Sequence, residues 1–398
     1  MIDFNTFQVN NDFDFSDLRN VKGSWELLVD GKAVEAGNLP ELYAGPGEAQ
    51  VFEIDYSTMA IKENERVHIN FYFSYITPES WCDAEHVIAN EQFELTPNFA
   101  VLDDEDDPEV NDVKVIDNSL SCKDLTLTVD KNNGKITVNK GNSLIIKDLA
   151  SFNPFRAPTD NDGIKGWTGQ DKKAMGLWLA AGLNKLSEKL IDLQISQLSD
   201  VCATIFRTYE YSNEAGQTIK FEQEISLYGN GKIEVEQSYD FDKTLPSLPR
   251  IGVINTTAEG FENVTYWGLG PQENYIDRNR GAFYGCYDTT VRDMFFPYIM
   301  PQENGNRTNV DKVIISNGTN SININYLSQP FEFGASHYTN EDLFKAFHTI
   351  ELVERKETFV TIDLAQRGLG TNSCGPATLP EYCLEPGEYN FCFELEIN

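Results

Sequence analysis

Alternating apolar and polar residues mark the first part of the chain as β-structure. Runs with the two-residue period of a strand recur there with turn residues between them. The clearest are Ser24–Asp30, Gln50–Asp55, Val67–Ser74 and Glu91–Leu95. Asp30-Gly31, directly after the first run, is a typical hairpin dipeptide. Short antiparallel strands at this spacing are typical of an immunoglobulin-like β-sandwich, which we predict for residues 1–98.

The strand pattern resumes at Val113 and continues to Asn398 without a break in composition. The clearest runs are Asp124–Asp130, Lys135–Val138, Lys232–Gln237, Ser321–Tyr326 and Phe359–Asp363. Asn133-Gly134 has the signature of a two-residue type I′ hairpin turn. A sheet region of this length predicts one very large β-sandwich over residues 113–398, so the fold class is all-β.

Two short segments interrupt this pattern with helix formers. Asp171–Gly182 ends in glycine, a frequent residue just beyond a helix, and predicts one helix. Asn340–Phe347 predicts a second, capped by Asn340 or Thr339.

Residues 99–112 are predicted to form an acidic linker between the two sandwiches. They contain the run Asp103-Asp-Glu-Asp-Asp107 followed by Pro108, which is too charged to be buried. Calcium binding by this run is the alternative, and a solvated linker is the preferred interpretation.

Composition narrows the classes of partner. A formal net charge of −32 repels phosphate backbones and anionic membrane surfaces, so we expect neither nucleic acid nor membrane as a partner. No apolar run approaches the ~20 residues of a membrane span, and no secretory signal is visible at the N-terminus. Seven cysteines, an odd number without C-x-x-C spacing, predict reduced thiols in a cytoplasmic protein.

The segment Arg156–Asp162 concentrates polar residues around a proline turn. Arg156 can bind a carboxylate through two bonds, and Asp160 and Asp162 can accept from amides or an arginine. Either the turn is satisfied within itself, which we prefer, or it also fixes the base of a mobile loop that begins at Gly163. A calcium loop is excluded because Ile164 occupies a ligand position.

The tetrapeptide Pro-Gln-Glu-Asn occurs twice, at 271–274 and 301–304. Glu273 and Glu303 could form the carboxylate pair of a glycosidase. Each lies among turn residues with an arginine nearby, Arg278 and Arg307 respectively, so a structural role is preferred.

Other candidate side chains give weaker signals. None of the four histidines (68, 86, 337 and 348) forms a metal-binding pair, and His337 and His348 are expected to be packed. Cys374 lies in the glycine-rich loop Gly368–Pro376 with no base nearby in sequence, so a catalytic thiol is not expected. No metal site is predicted.

Several of these segments together resemble the C-terminal region of glycoside hydrolase family 2 β-galactosidases. The matching segments of the long sandwich occur in the family's order: Arg156–Asp162, Trp267–Tyr275 with Asp277-Arg278, Tyr298–Gly305, and Gly368–Gly370 with Ser373–Pro376. Trp25–Gly31 and Trp81–Val87 are similar to the immunoglobulin-like domain that follows the family's catalytic barrel. The resemblance covers nearly the whole chain.

The resemblance implies a large sandwich related to galactose mutarotases, and no catalytic residue on this chain. The family's two catalytic glutamates and its Mg²⁺, with Na⁺ as a possible second ion, belong to a barrel that this chain lacks. The residues expected at the rim of the substrate pocket are Gly163, Ile164, Lys165, Gly166, Trp167 and Cys374. The residues expected to support these segments are Arg156, Asp160, Asn161, Asp162, Glu273, Asn274, Asp277, Arg278, Glu303 and Asn304. Some family members have tryptophan at the position of Cys374, where it stacks on glucose, so the preference for lactose is open.

The implied partner is the segment that carries the catalytic barrel, within an oligomeric enzyme that cleaves terminal β-D-galactosides such as lactose. The chain is then either the small subunit of a split enzyme or the C-terminal part of one long polypeptide, and the extra N-terminal sandwich favours the latter. A stand-alone carbohydrate-binding module that uses the mutarotase-like cleft is the alternative. A free mutarotase is less favoured because no convincing histidine pair is present.

Overall fold

The computed structural model describes residues 1–56, 65–95 and 110–398, and these fall into two compact units. The first unit holds the residues up to 95 together with Phe283–Cys286, and the second holds the remaining described residues. Most of the predicted acidic linker, including Asp103–Asp107, lies outside the described residues.

The first unit is a sandwich of antiparallel strands. In chain order these strands are β1 Thr6–Asn10, β2 Val21–Val29, β3 Lys32–Asn38, β4 Ala49–Glu53, β5 Val67–Tyr75 and β6 Val87–Glu94. β1 pairs with β4, and the other four form a sheet in the order β3-β2-β5-β6. Phe7, Phe52 and Phe71 meet in the core between the two sheets. Asp30 and Gly31 both have positive φ, 47° and 71°, as the predicted hairpin turn requires.

Eighteen further strands follow among the described residues, all in the second unit except for Phe283–Cys286, the first half of one strand. They are β7 Lys114–Ile116, β8 Ser119–Cys122, β9 Leu125–Val129, β10 Ile136–Lys140, β11 Ser143–Phe152, β12 Ser187–Ser199, β13 Cys202–Ser212, β14 Thr218–Tyr228, β15 Ile233–Phe241, β16 Arg250–Glu259, β17 Asn263–Gly270, β18 Phe283–Thr290, β19 Arg307–Val310, β20 Lys312–Ser316, β21 Ser321–Tyr326, β22 Phe331–Ser336, β23 Glu357–Gln366 and β24 Glu388–Ile397. Two nine-stranded sheets result, in the orders β19-β22-β23-β16-β11-β10-β9-β8-β7 and β12-β13-β14-β15-β24-β21-β20-β17-β18.

One continuous apolar core involves strands of both large sheets. On β14 and β15 the residues Phe221, Ile225 and Val235 are fully buried, and glutamates alternate with them along both strands. Since successive side chains of a strand point to opposite faces, this alternation turns one face of the sheet to the core and the other outward. The predicted all-β fold, with one very large sandwich, is confirmed.

Three short α-helices lie in the described part of the second unit: α1 Ala174–Ala180, α2 Val291–Met294 and α3 Asn340–Lys345. Thr339 caps α3 in a capping box with Asp342, as one of the two predicted caps. α1 is shorter than the predicted Asp171–Gly182, and α2 was not predicted. Short 3₁₀ helices occur at Leu18–Asn20, Thr349–Glu351 and Pro380–Tyr382. Among the described residues, no helix has the length and apolar character needed to cross a membrane.

The predicted type I′ turn at Asn133-Gly134 is wrong. Gly134 has a φ of 71°, but Asn133 is not among the residues with positive φ, and a type I′ turn needs both. The connection instead closes between Asp130 and Lys135, with the Gly134 amide donating to the Asp130 carbonyl at 2.7 Å. The side chain of Asp130 accepts from the Asn132 amide at 2.8 Å, and this bond stabilises the longer loop.

Candidate functional site

The turn before α1 is built around a buried ion pair. The side chain of Arg156 is fully buried and donates from Nε and Nη2 to the two carboxylate oxygens of Asp162, at 3.1 and 2.8 Å. Asp162 also accepts from the amide and hydroxyl of Thr159 at 2.9 and 3.1 Å. Burial acts to lower the pKa of Arg156, but Asp162, together with Glu303 and Tyr275, outweighs burial and the pKa is raised. The turn therefore holds its own charges together.

Asn161 joins this turn to the glycine-rich loop that follows β23. Its Nδ2 donates to the Gly370 carbonyl at 2.7 Å, and its Oδ1 accepts from the Ser373 amide at 3.1 Å. Asp160 beside it has an exposed side chain, and its amide donates to Gln302 at 3.0 Å. The three consecutive residues Asp160, Asn161 and Asp162 thus connect three separate parts of the second unit.

Residues 163–169 form a loop that is anchored at its centre by Lys165. The Nζ atom of Lys165 is buried and donates to the carbonyls of Pro301, Leu343 and Ala346 at 2.7, 2.9 and 2.7 Å. Two of these carbonyls lie at the C-terminal end of α3, where helix carbonyls lack partners within the helix. Burial lowers the pKa of Lys165 to about 8. The lysine therefore ties the loop to α3 and to the second Pro-Gln-Glu-Asn segment.

The two glycines of this loop lie in close contact with their neighbours. Gly163 and Gly166 have φ of 151° and 77°, which side chains rarely adopt. A Cβ at Gly163 would lie 2.9 Å from Met175, and one at Gly166 would lie 3.1 Å from the ring of Phe347. Trp167 follows with 66% of its surface exposed. A tightly seated loop therefore presents an exposed indole to solvent.

The first Pro-Gln-Glu-Asn segment supports its surroundings through each polar side chain. Glu273 accepts from the hydroxyl of Tyr298 and from the Gly305 amide at 2.8 Å, and Arg278 lies 3.5 Å from it. Asn274 is buried, and its Oδ1 accepts from the Thr308 amide at 3.0 Å. Glu273 therefore lies beside Arg278, the arginine that the sequence indicated.

The second segment differs from the prediction in the partner of its glutamate. Glu303 is buried 3.5 Å from Arg250, whereas Arg307 donates to the hydroxyl of Tyr266 at 3.0 Å and to main-chain carbonyls. The predicted pairing of Glu303 with Arg307 is therefore wrong. Asn304 accepts from the Phe296 amide at 2.9 Å and donates to the Gln302 carbonyl, so it stabilises the turn.

Asp277 fixes the start of the glycine-rich loop. Its two carboxylate oxygens accept from the amides of Leu369 and Gly370 at 2.9 and 2.7 Å. A Cβ at Gly368 would lie 2.8 Å from the carboxylate of Asp277, so glycine is needed for this approach. Cys374, farther along, is exposed. The loop that carries Cys374 is therefore attached at Gly370 to both Asp277 and Asn161.

The turn, Lys165 and Asp277 together fix the bases of two loops. An arginine lies 3.5 Å from each of the carboxylates of Glu273 and Glu303. Within the described ranges, no group of three or more histidine, cysteine or acidic side chains could hold a metal ion. His337 is packed as expected and lies 2.7 Å from Glu262, but His348 is mostly exposed, which contradicts the expectation of packing. Sequence reasoning did not identify the anchoring role of Lys165, because its carbonyl partners are more than 130 residues away.

Comparisons with known proteins agree on the two parts of the chain. A family model described as "Beta galactosidase small chain" matches residues 121–395, and one described as "Beta-galactosidase, domain 4" matches residues 7–96. A curated β-galactosidase of Pseudoalteromonas haloplanktis is 29% identical over 98% of this chain, and one of Actinobacillus pleuropneumoniae is 27% identical over 98%. The chain spans 38% of the length of each of these relatives.

Solved structures with a similar arrangement include aldose epimerases. A GalM/aldose epimerase homologue from C. elegans aligns with a TM-score of 0.38 and 9% identity, covering 69% of this chain and 96% of the homologue. Galactose 1-epimerase from Lactobacillus acidophilus aligns with a TM-score of 0.36 and 10% identity, covering 73% of this chain and 99% of the epimerase. These scores are too low to support a conclusion about this chain.

The small-chain model accounts for more than half of the residues, and its range contains every candidate segment from Arg156 to Cys374. The resemblance deduced from those segments is thereby confirmed. The chain belongs to the β-galactosidase small-chain family.

Proposed function

We propose that this chain is the non-catalytic part of a β-galactosidase that hydrolyses terminal β-D-galactosides such as lactose. The observation that carries the proposal is the attachment of two loops to one turn: Asp162 lies at the base of loop 163–169, and Asn161 binds the loop that contains Cys374. Both loops would line the rim of a pocket whose catalytic glutamates, and whose Mg²⁺, belong to a barrel on the missing segment.

The chemical contribution of such a rim is positional. Small displacements of a bound sugar lower the rate steeply, so loops with fixed bases preserve the reactive geometry. Lys165 and Asp277 hold one loop each through main-chain groups, which leaves Trp167 and Cys374 exposed. Movement of loop 163–169 over a substrate would also exclude water, and it would require Lys165 to leave its carbonyl partners.

The assembled enzyme would be an oligomer in the cytoplasm, with the barrel-containing segment as the direct partner of this chain. All seven cysteines are free thiols, which is in keeping with a reducing compartment. The exposed Cys374 cannot stack on a sugar as an aromatic ring can, so we expect weak affinity for glucose as the leaving group.

Hydrolysis of a chromogenic β-galactoside tests the proposal. The purified chain alone is expected to be inactive, and its mixture with the separately expressed barrel segment is expected to be active. Asn161→Ala should lower kcat/KM of the mixture because it releases one loop from the turn. Activity of the chain alone, or an Asn161→Ala variant with unchanged kinetics, would contradict the proposal.

A carbohydrate-binding module is the second candidate, favoured by a groove of about 480 Å³ on β13, β14, β15 and β24. Glu222, Glu224 and Glu236 line it from the face that points away from the core. This candidate predicts binding of monosaccharides by the chain alone and loss of binding in Asn390→Ala, an exposed groove residue. The first candidate predicts that Asn390→Ala leaves galactoside hydrolysis unchanged.

A further inference from the structure

Among the described residues, every buried arginine except one has a carboxylate or main-chain carbonyls beside its guanidinium. A guanidinium removed from water needs carboxylates or several carbonyl oxygens around it. The described residues include five buried arginines: Arg156, Arg207, Arg250, Arg307 and Arg367. Two of them lie beside a carboxylate, Arg156 at 2.8 Å from Asp162 and Arg250 at 3.5 Å from Glu303. Arg207 and Arg307 donate to main-chain carbonyls. Arg367 has neither kind of partner for its guanidinium.

Arg367 is 8% exposed and its charge has no counter-ion within the described part of the chain. Its Nη1 donates to the hydroxyl of Ser247 and to the sulfur of Cys383, both at 2.8 Å, and neither acceptor is a carboxylate. Its Nε is buried without any partner. In a chain with a net charge of −32, a buried cation without a carboxylate partner calls for an explanation.

Arg367 lines a cavity of about 190 Å³, and two further cations line the same cavity. Lys172 is exposed, and Lys173 is partly buried with its Nζ donating to the Asn372 carbonyl at 2.6 Å. Asp162 is the acidic residue in this lining, and its carboxylate already accepts four bonds from Arg156 and Thr159. Three positive groups therefore surround one small space with no free carboxylate to balance them.

We propose that this cavity binds a small oxyanion, either inorganic phosphate or the phosphate group of a phosphorylated sugar. The guanidinium of Arg367 lines the cavity, and a guanidinium suits the oxygens of a phosphate. Lys172 and Lys173 supply two further positive charges in the lining of the cavity. Binding relieves the repulsion among three like charges, because the anion lies between them.

Isothermal titration of this chain tests the proposal without any galactoside. Inorganic phosphate, glucose 6-phosphate and glucose are titrated separately, with ionic strength held constant by sodium chloride. We expect a saturable heat with one site for the phosphate compounds and none for glucose. Tighter binding of glucose 6-phosphate than of phosphate identifies the sugar ester as the ligand, and equal affinity identifies the free ion. The absence of saturable heat with both overturns the proposal.

Matched lysine variants separate this site from a general effect of charge. Lys172→Gln removes a cation of the cavity at an exposed position, so it does not endanger the fold. Lys131→Gln removes the same charge from the exposed connection between β9 and β10. We expect Lys172→Gln to weaken phosphate binding by about fivefold or more, and the matched Lys131→Gln by less than about twofold. Lys172→Gln combined with Lys173→Gln should weaken it by about tenfold or more. Equal weakening in the two single variants would show that only net charge matters and would overturn the proposal.

Arg367→Gln is the direct test of the buried guanidinium. We expect it to abolish the saturable heat of phosphate while the far-ultraviolet circular dichroism of the chain is retained. Retention of wild-type phosphate affinity in a folded Arg367→Gln variant overturns the proposal. If this variant does not fold, the lysine variants decide the question by themselves, because neither lysine is fully buried.

Discussion

Asp162→Asn is a direct test of the buried ion pair beneath the two loops. The carboxylate accepts four bonds, two from Arg156 and two from Thr159, at distances of 2.8 to 3.1 Å. Asparagine has nearly the same shape, but it offers one acceptor oxygen and turns an amide group toward the remaining donors. Arg156 is fully buried, so water cannot hydrate its guanidinium once the carboxylate is gone. We expect the free energy of unfolding of the second unit to fall by roughly 3–5 kcal/mol, the usual effect of removing one partner of a buried pair.

Asp160→Asn is the matched control for this substitution. It changes the same functional group two residues away, where the side chain is exposed and where the one hydrogen bond to Gln302 is made by the main-chain amide. The main chain keeps that bond in the variant, so we expect a change below about 0.5 kcal/mol.

Urea unfolding followed by far-ultraviolet circular dichroism measures both variants. The chain has two compact units, and their transitions must be fitted separately. The second unit has most of the strands and therefore the larger amplitude, while the first unit serves as an internal reference. Equal losses in Asp162→Asn and Asp160→Asn would refute the reasoning, since burial of the ion pair would then have no energetic consequence.

Three further changes test other parts of the structure. Lys165→Met removes the donor to the carbonyls of Pro301, Leu343 and Ala346, so protease should cleave loop 163–169 at least about tenfold faster. Cleavage at the wild-type rate would show that the lysine is not an anchor. Burial raises the pKa of Asp363 to about 8, so the folded state keeps a proton that the unfolded chain releases near pH 4. The free energy of unfolding should therefore fall as the pH rises from about 4 to about 8. Asp363→Asn should reduce this fall by up to about 1.4 kcal/mol per pH unit. Parallel curves of unfolding free energy against pH for variant and wild type would contradict this. Cys374→Trp should increase the affinity of the assembled enzyme for glucose several-fold in an inhibition assay, because an indole can stack on a sugar ring. Unchanged affinity would show that Cys374 does not lie at the rim of the pocket.

Local patterns in the sequence were sufficient to predict the fold class and a minority of the individual strands. β5 and β21 begin at the predicted residues, because alternation and turn residues are read within a few positions. The cap of α3 was predictable for the same reason, since a threonine followed three residues later by an acid satisfies the first turn locally. The turn at Asn133-Gly134 was missed because the side chain of Asp130 competes for the local amides.

Contacts between distant residues could not be predicted from one sequence. Glu303 pairs with Arg250 rather than with Arg307, although Arg307 is only four residues away. The hydroxyl of Tyr266 binds Arg307 instead, and nothing in the local pattern indicates that these two side chains meet. The choice among charged partners depends on the pairing of whole strands, which proximity in the sequence does not indicate.

The charged groups in the interior explain how the second unit can hold loops at its surface in fixed positions. Breaking a buried ion pair is costly, but the pair adds little stability compared with an apolar contact of the same size, so we infer that its advantage here is directional. Arg250 bonds Asp363 at 2.9 Å and lies 3.5 Å from Glu303, whose amide donates to the Ala157 carbonyl beside Arg156. A strand of the sheet, the second Pro-Gln-Glu-Asn segment and the turn before α1 are thus linked by bonds with defined angles. An apolar core of the same volume would allow these segments to slide past one another. The loops attached to them would then no longer keep fixed positions relative to each other.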